Sequence, residues 1–167
     1  MKYNRFEDLP VWQAAIELAV RVFALTAKPC FKGHAGTRSQ LENAVVSISN
    51  NIAEGFERGT TQELLTFIYI SRGSAGEVRS MLQLLERLTE LKDFKFEISD
   101  LKLRSEGVSK QLRAWADSLQ NSDIRGQRYL TQKSRSSDKQ AREREEFVKE
   151  FQRVQAENIA RTRKGQN

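Results

Sequence analysis

The chain has 167 residues, of which 38% are hydrophobic and 30% charged, with a formal net charge of +6. That is enough apolar material for one core but not for two. No run approaches the roughly 18 apolar residues of a membrane span, and Lys2, Arg5, Glu7 and Asp8 occupy the place of a signal peptide's apolar stretch, so a soluble, cytoplasmic protein without a membrane partner is expected. A single cysteine, Cys30, and a single histidine, His34, exclude an intrachain disulfide and a Cys/His zinc site, so no cofactor is expected.

The charge is unevenly placed. Residues 1–121 hold 16 Lys and Arg against 15 Asp and Glu, net +1, whereas 122–167 hold 12 against 7, net +5. A segregated excess of this kind implies an appended basic arm rather than a basic domain.

Pro10 opens a first helix reaching about Lys28, since proline suits a first helical turn whose N–H would have no partner. Val11, Ala15, Leu18, Val22 and Leu25 recur at four-three spacing, and Trp12, Ile16, Ala19, Phe23 and Thr26 form an adjacent row, which together predict a wide buried face. Pro29 stops the helix, and Gly33-His34-Ala35-Gly36 reads as a loop. Thr37 with Gln40 fits a capping box for a second helix over about Arg38 to Phe56, whose core row is Leu41, Val45, Ile48, Ile52 and Phe56, flanked by the small Ala44 and Ser47.

Gly59 ends that stretch, and Thr60 with Glu63 caps a third helix expected to reach about Leu91. Leu64, Ile68, Ser71, Ala75, Val78, Leu82 and Leu85 form one row; Phe67, Ile70, Ser74, Glu77, Met81, Leu84, Leu88 and Leu91 form a second beside it. Two rows exceed what one partner helix covers, so this helix either sits centrally or reaches a neighbouring subunit. Its middle, Ser71 to Gly76, is small. Gly73 and Gly76 each cost about 1 kcal/mol against alanine, which implies either close approach of another backbone, with Ser74 beside them, or a locally weak helix. After Lys92-Asp93 a fourth helix carries Phe94, Ile98, Leu101, Ser105, Val108, Leu112, Trp115 and Leu119.

Four amphipathic helices with short loops predict an all-α, antiparallel up-down-up-down four-helix bundle over residues 1–121. Residues 122–137, rich in Ser, Gln and Arg, read as a flexible linker. Ser137 with Gln140 suits the start of a last charged helix, about Asp138 to Thr162, within a C-terminal segment 138–167. Phe147, Phe151 and Val154, with Ile159 less well aligned, give it a stripe too narrow to form a core alone.

The strings Phe6-Glu7-Asp8-Leu9 and Val11-Trp12, Arg38-Ser39-Gln40-Leu41, Asn51-Ile52-Ala53-Glu54-Gly55 and Arg72-Gly73-Ser74-Ala75-Gly76-Glu77-Val78-Arg79 stand in an order that resembles the bacterial four-helix bundle proteins first found encoded in intervening sequences of large-subunit ribosomal RNA genes. The resemblance covers about residues 5–120 and implies the bundle fold. The same superfamily includes the accessory variability protein of diversity-generating retroelements, a pentamer that binds a reverse transcriptase and its template RNA. The looser likeness to that branch implies a homopentameric accessory protein with an RNA and a reverse transcriptase as partners. The arm beyond Asn121 has no counterpart in the short family members.

Hydrolytic chemistry needs a nucleophile, a base and an orienting group, and the lone His34 in a glycine loop supplies no such set. The Glu-x-x-His pattern of di-iron bundles is absent from the sequence. No catalytic or metal-ligating residue is expected, and the chain reads as a non-enzyme. Glu54 and Glu77, in small or apolar surroundings, either pair with Arg72, Arg79 or Arg38 between helices or subunits and fix register, or are simply exposed. Arg125, Arg128, Lys133, Arg135, Lys139 and Arg142, with Arg161, Arg163 and Lys164, are spaced as a phosphate-tracking arm. The alternative is a solubilising tail. Interspersed Glu143, Glu145, Glu146, Glu150 and Glu157 suit a protein contact better than nucleic acid. A second nucleic-acid arrangement gathers Arg38, Arg58, Arg72 or Arg79 on an assembled bundle face. The sequence thus leads to an oligomeric, RNA-binding accessory protein, with a protein-protein scaffold as the alternative.

Overall fold

The computed structural model describes residues 3–121 and 143–153. The chain divides into two units, 1–128 and 129–167. The first is an all-α bundle of helices α1 (Pro10–Thr26), α2 (Ala35–Glu57), α3 (Thr61–Leu85) and α4 (Lys95–Gln120). Each helix packs on its sequence neighbours, and α1 closes the ring against α4. Among the described residues of the second unit, 143–153 form a helix, α5. The expected linker, 122–137, lies outside the described residues, as do Val154, Ile159 and the rest of the last predicted helix.

The helix boundaries follow local chemistry. Lys28 takes an extended conformation ahead of Pro29, as the ring's crowding demands, and a single 3-10 turn over Pro29–Phe31 buries Phe31 under the bundle. The second helix starts earlier than the Thr37 capping box implies. The Arg38 N–H already donates to the His34 carbonyl at 2.8 Å, so the ladder begins before Thr37, and Ala35 and Gly36 are helical. The Thr60 cap forms as expected: its hydroxyl oxygen accepts from the Glu63 N–H at 3.2 Å while its proton goes to the Glu63 carboxylate at 2.7 Å. Helix α3 ends at Leu85, six residues before the expected Leu91, which instead reaches the core from a 3-10 turn over Thr89–Phe94.

Each principal apolar row is buried. The five residues of the α1 row, the five of α2, the seven of α3 and the central Ile98, Leu101, Ser105, Val108 and Leu112 of α4 all lie in the core. The adjacent rows do not close over. Ala19 and Thr26 of α1 are buried, but Ile16 and Phe23 are exposed; on α3, Ser74 is buried and Ile70, Glu77 and Leu84 are exposed. A four-helix ring covers roughly one stripe per helix, and the second stripes look outward.

The small residues act differently from the sequence expectation. A Cβ built at Gly73 or Gly76 meets nothing within 4 Å, so neither glycine admits another backbone of this bundle. The glycine that does is Gly55 on α2, where a Cβ would lie 2.6 Å from Phe67 Cβ and 3.3 Å from Leu64 Cδ1 on α3. The serines carry the remaining close contact. Ser71, fully buried, donates to the Ile48 carbonyl of α2 at 2.9 Å, and Ser105, equally buried, donates to the Ala75 carbonyl of α3 at 2.8 Å. Ser47 and Ser74 join α2 to α3 through their hydroxyls at 2.9 Å.

Two alanine substitutions therefore act with opposite sign. Gly55→Ala forces Phe67 and its helix outward and costs about 1–2 kcal/mol, the overpacking penalty less the gain in helix propensity, whereas Gly76→Ala stabilises by about 0.5–1 kcal/mol. Chemical denaturation of the two variants measures both. Ser71→Ala combined with Ser105→Ala removes both buried cross-helix bonds and costs about 1–2 kcal/mol in total, alanine's better propensity offsetting part of the loss; a melting temperature within a degree of the parent would show those bonds to be dispensable.

Candidate nucleic-acid interface

The arm cations Arg125, Arg128, Lys133, Arg135, Lys139, Arg142, Arg161, Arg163 and Lys164 lie outside the described residues. The cations of the bundle fall into two groups. On α2, Arg38 donates to Glu42 at 2.8 Å, and Arg58 pairs with Glu54 four residues before it while resting over the Phe67 ring at 5.1 Å. These i,i+4 pairs neutralise both arginines along their own helix. Glu42 also accepts the Thr26 hydroxyl; burial acts to raise its carboxyl pKa, but the Thr26 hydrogen bond and Arg38 outweigh that and hold it below the usual range. Glu54 and Glu77 therefore do not fix register between the helices of this bundle: Glu54 is held by its own helix, and Glu77 is exposed. Among the described residues, ion pairs that join different elements include Lys28–Glu97 at 2.7 Å, Lys102–Glu86 at 2.6 Å and Arg21–Asp100 at 3.8 Å. The sequence reading missed these. A Lys or Glu on a four-three face gives no hint of its partner on another helix.

On α3, Arg72 and Arg79 make no ion pair with the described residues. They lie seven residues apart, two helical turns, on one face with Gly76 between them. Arg79 lines an open groove of about 510 Å³ between α3 and α4, together with Gly76, Ser80 and Gln83 of α3 and Ser99, Lys102, Leu103 and Glu106 of α4. Glu106 is turned to Lys110, which donates to it at 2.7 Å. That hydrogen bond and charge, with the more distant Arg79, hold the Glu106 carboxyl below its usual range. The groove thus gathers an arginine, a lysine already bonded to Glu86, the Glu106 carboxylate, two serine hydroxyls and the Gln83 amide, with no side chain at Gly76.

A second groove of about 640 Å³ is lined by Phe23 of α1 and by Glu42, Asn43, Val46, Ser47, Asn50, Asn51 and Glu54 of α2. Its charged groups are acidic, and both carboxylates are engaged by arginines. His34 stands at the N-cap of α2, half-buried, its Nε2 4.0 Å from Glu90. Among the described residues no cluster of three or more His, Cys, Asp or Glu is placed to hold a metal ion, and no helix is long and apolar enough to cross a membrane.

An all-α bundle of this topology, with its Arg38-to-Leu41, Asn51-to-Gly55 and Arg72-to-Arg79 segments on α2 and α3, defines a class of small helical-bundle proteins. The family model described as 23S rRNA-intervening sequence protein matches residues 7–114, and the chain belongs to that family. A crystal structure from Bacteroides thetaiotaomicron VPI-5482, described as a protein with unknown function from the S23 ribosomal protein family, superposes with a TM-score of 0.55 at 20% identity, covering 64% of this chain and 97% of that one. This second likeness is one of fold. No curated protein matches the chain. Everything after residue 114, including the basic arm, lies beyond the family match.

Proposed function

We propose that the chain is a non-enzymatic, self-associating accessory protein that binds structured RNA and serves a ribonucleoprotein enzyme such as a reverse transcriptase. The observation that carries this reading is the distribution of charge: the bundle is close to neutral, while the last 46 residues hold net +5. A basic segment of that kind tracks phosphates without reading sequence, and arginine-rich segments commonly order on RNA. The family's description, which refers to intervening sequences of 23S rRNA, supports an RNA setting without naming a ligand. Self-association is supported by the exposed second stripes, Ile16, Val20 and Phe23 on α1 and Ile70 and Leu84 on α3, with Phe96 and Leu103 on α4. A pentamer and a reverse-transcriptase partner rest on the resemblance to retroelement accessory proteins.

A second reading is a homo-oligomeric scaffold whose C-terminal helix recruits a protein. It is favoured by α5, where Phe147 and Phe151 stack at 6.3 Å between centroids yet stay 70% and 53% exposed, beside Glu143, Glu146 and Glu150. Such a face suits a helical partner more than a phosphate backbone.

Two outcomes are expected. Light scattering at micromolar concentration returns a mass well above the 19.2 kDa of one chain; a monomer would remove the oligomeric part of the reading. Replacing Arg125, Arg128, Lys133 and Arg135 by glutamine in the full chain weakens RNA binding and flattens its salt dependence by about 0.7 in log–log slope for each single-strand phosphate that is no longer neutralised. Unchanged RNA affinity would move the site off the arm, and absence of binding by the parent protein would leave the scaffold reading standing.

A further inference from the structure

We infer that the groove between α3 and α4 is a second polyanion site, one that holds the phosphodiester backbone of a single-stranded RNA segment on the bundle itself. The inference rests on the RNA reading above and adds a site that the arm does not account for.

The first argument is electrostatic. The arginines of α2 are each satisfied by a carboxylate one turn away, and Arg21 and Arg104 share Asp100. Arg72 and Arg79 have no such neighbour: the residues four before and four after Arg72 are Ile68 and Gly76, and those around Arg79 are Ala75 and Gln83. An i,i+4 pair cannot form at either, and beyond the longer-range attraction of Arg79 to Glu106, which Lys110 already holds, the positive charge of this face is open to an outside anion. The carboxylates at the groove are already engaged, Glu86 by Lys102 at 2.6 Å and Glu106 by Lys110 at 2.7 Å. Each lysine there has its own carboxylate, and the surplus positive charge belongs to the unpaired arginines.

The second argument is steric. With no side chain at Gly76 and nothing within 4 Å of where its Cβ would stand, the groove is open beside Arg79, and Arg72, two turns earlier on the same helix face, lies beyond its lining. Ser80 and Ser99 on its walls are short, and with Gln83 they present donors that a phosphate oxygen accepts and a carbon surface would waste. An exposed groove of about 510 Å³ with a flanking Leu103, 66% exposed, has the size and mixed character to take one or two nucleotides with the sugar edge against the leucine. It also accounts for Gly76, which packs against nothing within the bundle: alanine would be better for the helix, but a larger residue there would stand where the backbone of the ligand lies.

The test uses the full chain and a fluorescein-labelled, unstructured 20-nucleotide RNA, titrated at two salt concentrations. The double variant R72Q/R79Q is expected to lose about tenfold in affinity at low salt and about 1.4 in log–log slope, the equivalent of two phosphates. The charge-matched R21Q/R104Q, on the α1–α4 side, is expected to lose neither. Gly76→Glu should weaken binding more than Gly76→Gln, which has the same bulk, so the difference reads charge and not packing. In the chain whose arm arginines and lysine are already replaced, residual binding should persist and disappear with R72Q/R79Q. If R72Q/R79Q binds as the parent does while the arm variant fails, the groove inference is overturned and the RNA reading stands on the arm alone. If the parent does not bind this strand the groove inference falls, and if it binds no structured RNA either, the RNA reading falls with it. If R72Q/R79Q keeps its RNA affinity but no longer retains a polyglutamate peptide that the parent retains, the groove inference is likewise overturned, and the groove belongs to an acidic protein segment instead.

Discussion

The packing of this bundle depends on a pair of fully buried serine hydroxyls that reach across to a neighbouring helix's main chain. Ser71 meets the Ile48 carbonyl and Ser105 meets the Ala75 carbonyl, so α2, α3 and α4 are tied in series through bonds of 2.9 and 2.8 Å. Leucine rows alone hold helices together but tolerate sliding by a turn, because one leucine resembles another. A hydroxyl inside a core is more selective: sliding by a turn would break its bond to the neighbouring helix and turn it back on its own helix's carbonyls, as Ser49 and Thr66 do, at a cost of about 0.5–1.5 kcal/mol each. No buried side-chain polar atom among the described residues is left unsatisfied, which is the condition under which such polar contacts specify a core rather than weaken it. Gly55 supports the same geometry from the other side by letting α3 come close at Phe67.

Close approach at those points also decides where the surface opens. Helix α3 is drawn to α2 along Ile48, Ser71 and Ser74, and to α4 at Ala75 and Ser105. Of the next residues around the α3 cylinder, Gly76, Arg79 and Gln83 are then left at the α3–α4 groove, and Arg72 shares their face one turn earlier. One short helical stretch, Ser71 to Arg79, thus supplies buried hydroxyls on one side and uncompensated arginines on the other. The division follows from the helical repeat, since 71, 75 and 78 share a face and 72, 76 and 79 share the one beside it.

Much of this was legible in the sequence, and the parts that were not have physical reasons. The four principal rows were readable because burial repeats with the helical period, and Thr60 with Glu63 was readable because capping is a local interaction. Thr37 misled because the same hydroxyl-then-amide spacing also occurs inside a helix whose ladder has already begun at His34. The end of α3 misled because Leu91 keeps four-three phase with the helix even though a 3-10 turn delivers it to the core. Gly73 and Gly76 misled as to contacts within the bundle, since neither lies against another of its helices. A glycine in a helix signals that something must not be there, but the sequence does not say whether that something is a neighbouring helix or the residue's own side chain in an open groove. Gly55 does admit a neighbouring helix, and it stands in a stretch, Ala53-Glu54-Gly55, that drew attention only through family likeness. Likewise Arg38, Arg58, Arg72 and Arg79 are indistinguishable as a set of cations until the carboxylates one turn away are counted; then two are satisfied and two are not.

That last distinction bears on how a nearly neutral bundle would serve the RNA proposed for it. Net charge over residues 1–121 is +1, too little to steer RNA from a distance, whereas the segment after it carries the long-range field. Capture and placement are different tasks. A basic arm raises the local concentration of RNA near the protein without fixing its orientation, because phosphate contacts made by a chain of independent residues accept many registers. Two arginines on one helix, their backbone positions set two helical turns apart, accept fewer. On the function proposed for this chain, the arm brings the strand in and the α3–α4 seam gives it a direction. The serine contacts that favour one helix register then matter beyond stability: a shift of α4 by one turn along α3 would leave both arginines on the surface but would carry Ser99, Lys102 and Glu106 out from opposite Arg79.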